Sequence, residues 1–211
     1  RELFDARGMR SANIDDIAKA VGVNRAIIYR HFASKEELFA LALAEYLSEL
    51  DGRLSAADLP DAGPRDRLAA VSREFAAYCL RYPAFVDCAL ALLGRPGPDL
   101  LEEISDTALL RLGGLMAAQL RRIADILRLD RTGAGGSGPQ PEGFDADVLA
   151  NAMYLQVLGV MHLARSGVVL RPAAGGEISW ATVGPDRIVE LVTEMSLAVA
   201  FPASGGNTTP A

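Results

Sequence analysis

The chain has 211 residues, half of them apolar and only 6% aromatic, with a formal net charge of −6. That length buries a sizeable core in one or two domains, and an Ala-, Leu- and Arg-rich composition without alternating β-branched runs favours helices over strands. No 18-residue apolar stretch and no charged-then-apolar leader is read, so neither a membrane span nor a signal peptide is expected. Cys79 and Cys88 lack the spacing of a disulfide framework or a zinc site. Reduced thiols in a cytoplasmic setting, with no metal and no cofactor, are the expectation.

Charge is unevenly placed. Residues 1–35 carry seven Lys and Arg against four acids, an excess of +3, whereas the remainder carries fourteen against twenty-three, a balance of −9. A basic end on an acidic body suits a chain whose one end meets a polyanion while the other has a separate task.

In chain order, "RELFDARG" ends on Gly8, a residue suited to a left-handed helix cap. Because the numbering begins at Arg1 rather than Met, the start of this first helix is expected to lie upstream. "NIDDIAKAVG" opens with Asn13 as N-cap, has Asp16 three residues on, and stops at Gly22. Its Ile14, Ile17, Ala18 and Val21 fall at i, i+3, i+4 and i+7 and predict one buried stripe. Asn24 caps a third helix through Phe32, with Ile27, Ile28 and Phe32 turned inward. Ser34 and Glu37 then form an S-x-x-E capping box. It opens a long helix that carries Leu38, Leu41, Ala42 and Glu45 and reaches about Arg53.

A helix, a three-residue turn containing Gly22 and a second short helix make the helix-turn-helix pattern. With Ile27, Ile28 and Phe32 on the core side, Arg25, Ala26, Tyr29 and Arg30 take the opposite face. From there the N-terminal side chains of such a helix reach base edges in the major groove, while phosphates supply much of the affinity.

The stretch "FDARGMRSANIDDIAKAVGVNRAIIYRHFASKEELFALAL" resembles the DNA-binding domain of the TetR family of transcriptional regulators. The matching features are Gly8, "IDDIAKAVGV", "IYRHF" and "SKEELF", over about the first 46 residues. The resemblance implies an all-α protein with a helix-turn-helix domain at 1–46, a helical effector-binding and dimerising domain at 47–201, and a disordered tail at 202–211. Its partners would be a double-stranded DNA operator, a second copy of itself and a small-molecule effector. Asn13 and Asn24 stand where Ser or Thr is common in the family, and both can cap a helix and donate to phosphate. Arg25 is the candidate base contact, Arg30 a phosphate or base contact, and Tyr29 and Lys35 phosphate contacts. His31 is either a DNA contact or a structural residue at the domain edge. Ala26 and Ile27 are bulkier than the small residues often seen there and restrict how closely the helix approaches bases.

Beyond residue 54 the elements are again helical. "AADLPDAGP" is a loop, followed by a helix over 65–81 with Leu68, Val71, Phe75, Tyr78 and Tyr82 along one side, ended by Pro83. A shorter helix spans 84–93, and Pro98 begins a long one to about Leu129. In the latter, Gly113 and Gly114 predict a kink or a close backbone approach. "DRTGAGGSGPQPEG" reads as a flexible linker. Two helices at about 145–166 and 185–200 follow, separated by a loop that includes Trp180.

Both final helices are apolar on two sides and so require cover on two sides. A four-helix bundle across a two-fold axis provides it, and the TetR resemblance implies the same, with Leu155, Gly159, His162, Ile188, Leu191, Val192, Met195 and Val199 at the dimer interface. The interior expected to take a mainly apolar effector is lined by Phe75, Tyr78, Tyr82, Phe85, Met116, Gln119, Met153, Gln156 and Met161. Methionines adapt to variable apolar shapes, and the two glutamines require hydrogen-bond partners. No nucleophile elbow, phosphate loop or metal cluster suggests an enzyme. The alternative regulator-like reading is a helical adaptor or sensor that no longer binds DNA specifically.

Overall fold

The computed structural model describes residues 14–132, 145–172 and 178–202. Asn13, Gly8, most of the Gly- and Pro-rich linker and nearly all of the tail fall outside them. The described chain forms nine helices and one hairpin: α1 (Ile14–Val21), α2 (Arg25–His31), α3 (Lys35–Ala57), α4 (Pro64–Arg81), α5 (Pro83–Leu93), α6 (Gly97–Glu103), α7 (Asp106–Thr132), α8 (Ala146–Ser166), β1 (Val168–Pro172), β2 (Ile178–Thr182) and α9 (Pro185–Ala200). It packs as two compact units. The first runs through Ala56 and takes in Ala77–Arg121; the second combines Ala57–Ala76 with the chain from Arg122 onward.

In the first unit, Ile14, Ile17 and Ala18 of α1 and Ile28 of α2 are buried together with one face of α3. That face is Phe39, Leu43, Tyr46, Leu47, Leu50 and Leu54. Of the residues named for this helix from the sequence, Ala42 is buried, Leu38 and Leu41 are half-buried and Glu45 is exposed. The spacing of Phe39, Leu43, Tyr46 and Leu50 was the helical signal available in the sequence. Around Gly22 the chain leaves α1 in a left-handed conformation (φ +76°), with the Val23 N–H donating to the Ala18 carbonyl at 2.9 Å.

The helix expected from Pro98 to Leu129 is two helices. Ile104 adopts extended backbone (φ −122°, ψ 133°) and buries its side chain. Ser105 starts α7 afresh, its carbonyl accepting from Leu109 N–H at 2.9 Å and its hydroxyl from Ala108 N–H at 3.4 Å. Beyond this break α7 is one continuous helix. Gly113 and Gly114 sit within it exposed, and among the described residues no atom apart from the helix's own nearby backbone lies within 4 Å of where a Cβ would stand. They mark neither a kink nor a close approach inside the protomer.

In the second unit, Asp58 receives two hydrogen bonds from Arg67 of α4, at 2.8 and 2.9 Å, with Arg122 at 3.7 Å. The Arg67 guanidinium holds this half-buried carboxyl below its ordinary range. The α8 helix is capped by Asp145, which accepts from Asp147 and Val148 N–H groups, and ends at Gly167 in the left-handed region (φ +65°). Its inner face, Ala150, Met153, Val157, Leu158 and Met161, is buried with Ile188, Val192 and Ala200 of α9. Ala146–Arg165 is, by length and a mean hydropathy of 1.2, apolar enough to cross a membrane, which corrects the expectation that no such stretch exists. The buried inner face is that of a core helix. The segment expected as a loop with Trp180 is instead the antiparallel β1–β2 hairpin, with Leu170 opposite Trp180.

Cys79 and Cys88 are buried and form no disulfide. Burial pushes the Cys79 thiol pKa well above its ordinary value, so its reactive thiolate is suppressed.

Two glycine substitutions should move stability in opposite directions. Gly22→Ala places a Cβ in the left-handed region and should cost about 1–2 kcal/mol. Gly113→Ala, in an exposed helix interior, should add about 0.5–1 kcal/mol. Urea unfolding of both variants beside the parent checks the sign of each.

Candidate nucleic-acid interface and regulatory interior

The first two described helices and the turn between them present one polar face. Asn24 is the N-cap of α2: its backbone is extended and its Oδ1 accepts from the Ile27 N–H at 3.0 Å. Ile28 is buried, while Ile27 and Phe32 are half-buried. Helical geometry then turns Arg25, Ala26, Tyr29, Arg30 and His31 outward, and all five are exposed. Arg30 and His31 occupy the last turn of α2, where a cation suits the helix dipole.

Arg25 is already held in place. Its guanidinium donates to the Tyr29 hydroxyl at 3.3 Å and to Asp15 of α1 at 3.4 Å, and it lies 5.3 Å from the Tyr29 ring centroid. The Tyr29 bond and the Asp15 charge raise the Arg25 pKa above its ordinary value. Lys35, at the start of α3, is exposed with its Nζ 5.0 Å from the centroid of the Phe39 ring.

The start of α3 is where sequence reasoning saw only a capping box. Ser34 Oγ accepts from the Glu37 N–H at 2.9 Å, as expected, and also donates to the Glu103 carbonyl at the end of α6. The Glu37 carboxylate accepts from the Ala33 N–H and from the Ser105 hydroxyl at the α6–α7 break. Glu37 is buried. Arg95 adds an ion pair to Glu103 and stands 4.0 Å from Glu36. The exit of the helix-turn-helix is thereby fastened to the α6–α7 junction within one unit. Nothing in the local sequence pairs Glu37 with Ser105, 68 residues away.

Residues 1–42 match the family model of bacterial regulatory proteins of the tetR family. Over 74 residues the chain is 34% identical to the transcriptional activator FasR of Mycolicibacterium smegmatis, covering 35% of this chain and 34% of that protein. The chain thus spans about a third of the length of this curated relative. The likeness to the TetR family is carried by this N-terminal segment. Both likenesses are to transcriptional regulators.

Two solved TetR-family structures have the same fold over nearly the whole chain. A regulatory protein from Rhodococcus RHA1 has a TM-score of 0.64 at 20% identity, covering 96% of this chain and 93% of that one. The Thermus thermophilus FadR repressor, solved with lauroyl-CoA, has a TM-score of 0.60 at 20% identity, covering 97% and 95%. At that identity the likeness is one of fold.

The residues expected to line the regulatory interior divide between the two units. In the first, Tyr78, Tyr82 and Phe85 form a ring cluster with Tyr46, which sequence reasoning missed. Tyr78 lies 4.7 Å from Tyr82 and 5.6 Å from Phe85 by ring centroids, and Tyr46 6.2 Å from Phe85. The Tyr78 hydroxyl donates to the Tyr46 carbonyl at 2.9 Å, and the buried Gln119 amide donates to the next carbonyl of α3, Leu47, at 3.1 Å. The Gln119 Oε1 is buried with no hydrogen-bond partner. Met116 is half-buried. In the second unit, Phe75 packs 5.6 Å from the Tyr154 ring, Met153 and Met161 are buried, and Gln156 is half-buried.

The residues expected at the dimer interface also divide. Leu155, Gly159, His162 and Val199 are exposed, and Leu191 and Met195 are half-buried. Ile188 and Val192, by contrast, are each only 1% exposed. They fill the protomer's own core, because α9 turns that side inward, and so leave the expected interface. On α8 the outward residues Val148, Ala152, Leu155, Gly159 and His162 recur at steps of four and three, the spacing of a helix-packing seam. Among the described residues no atom apart from the helix's own nearby backbone lies within 4 Å of a Cβ built on Gly159, so their packing does not require glycine there.

The hydrogen bonds from Ser105 and Ala33 hold the Glu37 carboxyl below its ordinary value of 4.5, against the opposing cost of burial. A carboxyl lowered in the folded state stabilises fully above its unfolded value, and loses that contribution as pH falls through the folded one. The parent should therefore lose stability below about pH 4.5. Glu37→Gln should be weaker at pH 7 but less acid-sensitive, and Ser105→Ala should cost about 1.5–3 kcal/mol at pH 7. Urea midpoints at pH 7 and pH 4 separate these outcomes.

Proposed function

We propose that the protein is a dimeric, sequence-specific DNA-binding regulator, a repressor released from a near-palindromic operator by a small, mainly apolar effector. The observation that carries the DNA-binding reading is the face of α2. Arg25, Tyr29 and Arg30 stand outward on a helix capped by Asn24, opposite the buried Ile28, in a segment that matches the family. On this reading Arg25 reads a base, and Tyr29, Lys35 and Arg30 hold phosphates. Asn13, Asn24, Ala26 and His31 complete the contact surface. Two recognition helices in a two-fold dimer meet half-sites about 34–36 Å apart or a multiple of that.

Dimerisation is supported by the exposed seam of α8 and by the outward side of α9, where Leu191, Met195 and Val199 lie. Seam residues that are apolar and solvent-facing in a protomer call for a matching surface. The repressor reading has support from the Thermus thermophilus FadR structure, which is described as a repressor. FasR is named an activator. The groove contacts are alike for both, and the position of the operator relative to the promoter decides between them.

The effector reading rests on the first unit's interior. A buried amide oxygen without a partner carries an unmet desolvation cost, which a ligand bearing a hydroxyl or N–H group would relieve. Rings and methionine around it favour an apolar body. A bound acyl-CoA in the FadR structure makes acyl thioesters the first class to test. A ligand shifts the dimer only by its preference between two states, about 1–3 kcal/mol in typical allosteric coupling. The Ser34–Glu37–Ser105 bonds supply a link from the α6–α7 junction to the helix-turn-helix.

Anisotropy titration of the dimer against DNA from its own upstream region, with non-specific competitor, tests the DNA-binding reading. Saturable, competitor-resistant and salt-sensitive binding is expected. Lys35→Ala should weaken binding to all sequences alike and lower the salt slope by about one. Arg25→Ala should cost about 1–3 kcal/mol and relax one position per half-site. Asp15→Asn frees Arg25 from its intramolecular partner and should tighten binding several-fold, an advantage that shrinks as salt rises. Binding that is weak and competitor-sensitive would instead favour an adaptor that has lost DNA specificity.

In the same assay a medium- or long-chain acyl-CoA should release the operator. Gln119→Leu should blunt that release while leaving effector-free DNA affinity unchanged. Retention of full DNA affinity across a broad lipophilic library would overturn the effector reading.

A further inference from the structure

One face of the β1–β2 hairpin turns Val168, Leu170 and Trp180 toward solvent beside Thr182, whereas a strand pair with one face to water normally places polar side chains there. Val169 and Ala181, paired in register, are half-buried. The opposite face holds Leu170 directly across from Trp180. These two side chains are 60% and 70% exposed, and Trp180 is the chain's single tryptophan. A two-stranded hairpin is at best marginally stable in water, and a large aromatic left open on it is a cost that contact with another surface removes.

The hairpin's place in the chain indicates which surface that is. β1 begins one residue after α8, at the end of the exposed seam, with the Gly167 N–H bonded to the Leu163 carbonyl at 3.1 Å. β2 leads through Gly184 into α9, whose outward side carries Leu191, Met195 and Val199. The Val183 N–H closes the base of the hairpin on the Gly167 carbonyl at 3.3 Å. The apolar hairpin face is therefore continuous along the chain with both helices of the proposed dimer surface.

Area points the same way. A standard interface buries about 800 Å² on each partner, and an aromatic side chain contributes about 150–250 Å². A two-fold axis counts every such contact twice.

We propose that the Leu170–Trp180 face of the hairpin is a dimerisation arm that packs on a second copy of this chain beside the α8–α9 seam. The inference rests on the dimer reading above, and it adds an element and two anchor residues to that interface. In the dimer Trp180 is withdrawn from water; in the dissociated protomer it is open.

The test uses the full chain and its single tryptophan. Sedimentation equilibrium gives the dimer dissociation constant for the parent, Leu170→Glu and Gly159→Arg, while emission and iodide quenching of Trp180 are followed through the same dilution series. For the parent, emission should move to the red and quenching should rise as the dimer dissociates. Gly159→Arg should be monomeric with an open tryptophan at every concentration. Leu170→Glu alters an exposed position and should weaken dimerisation by about tenfold or more, as expected for a charge forced into an interface. A parent that stays monomeric overturns both the dimer reading and the arm. A parent dimer whose Trp180 is as open to iodide as in Gly159→Arg overturns the arm alone. An unchanged Leu170→Glu dissociation constant in a folded variant does so as well, and the dimer reading stands.

Discussion

At the first turn of α3 the chain buries a carboxylate, and much of the first unit is arranged around keeping it satisfied. Glu37 has left water, so it needs donors on both of its oxygens. One comes from the preceding backbone, at Ala33; the other comes from Ser105, where the α6–α7 segment breaks. Ser34 serves both partners, accepting from the helix N-terminus and donating to the Glu103 carbonyl. The break at Ile104 takes the Glu103 carbonyl out of a continuous helix ladder, and it accepts from the Ser34 hydroxyl instead. The helix-turn-helix end of the unit and the α6–α7 junction are thus joined by charge-assisted hydrogen bonds.

That link would give the proposed two-state mechanism a physical location. Polar networks in a low-dielectric interior have few tolerable geometries, since each partly broken arrangement leaves a charge or a carbonyl unmet. The interior above the same helix holds Tyr78 and Gln119, bonded to the adjacent carbonyls of Tyr46 and Leu47. Anything that moves α3 there acts on the helix that carries Glu37 ten residues earlier. A continuous helix transmits such displacement because its own ladder resists bending.

The second unit makes different use of its exposed surface. Gly159 has open space where a side chain would stand, and the seam around it is apolar but solvent-facing. A mid-helix glycine costs stability by itself. Its presence where the protomer leaves room for alanine is accounted for by a neighbour arriving from outside, which is the role the seam and the hairpin share in the proposed dimer.

The helix-turn-helix was legible in the sequence because its determinants are local: Asn24 capping, Gly22 reversing the chain, and Ile28 set opposite Arg25 and Tyr29 by helical period. The likeness to the TetR family rests on the same short stretch. The last two helices were legible through their apolar stripes, and the structure adds Asp145 and Gly167 as the caps of α8. What tertiary structure decided were the choices that local periodicity leaves degenerate. Ile188 and Leu191 are equally apolar, and only packing turned one inward and left the other half-open. Leu38 and Phe39 both look like core, and the neighbours of α3 selected Phe39. The Glu37–Ser105 contact and the pairing of Leu170 with Trp180 join residues that sequence alone does not bring together. Helix caps and turns are set within a few residues by the chain's own hydrogen-bonding groups, whereas burial and long-range pairing depend on which surfaces meet.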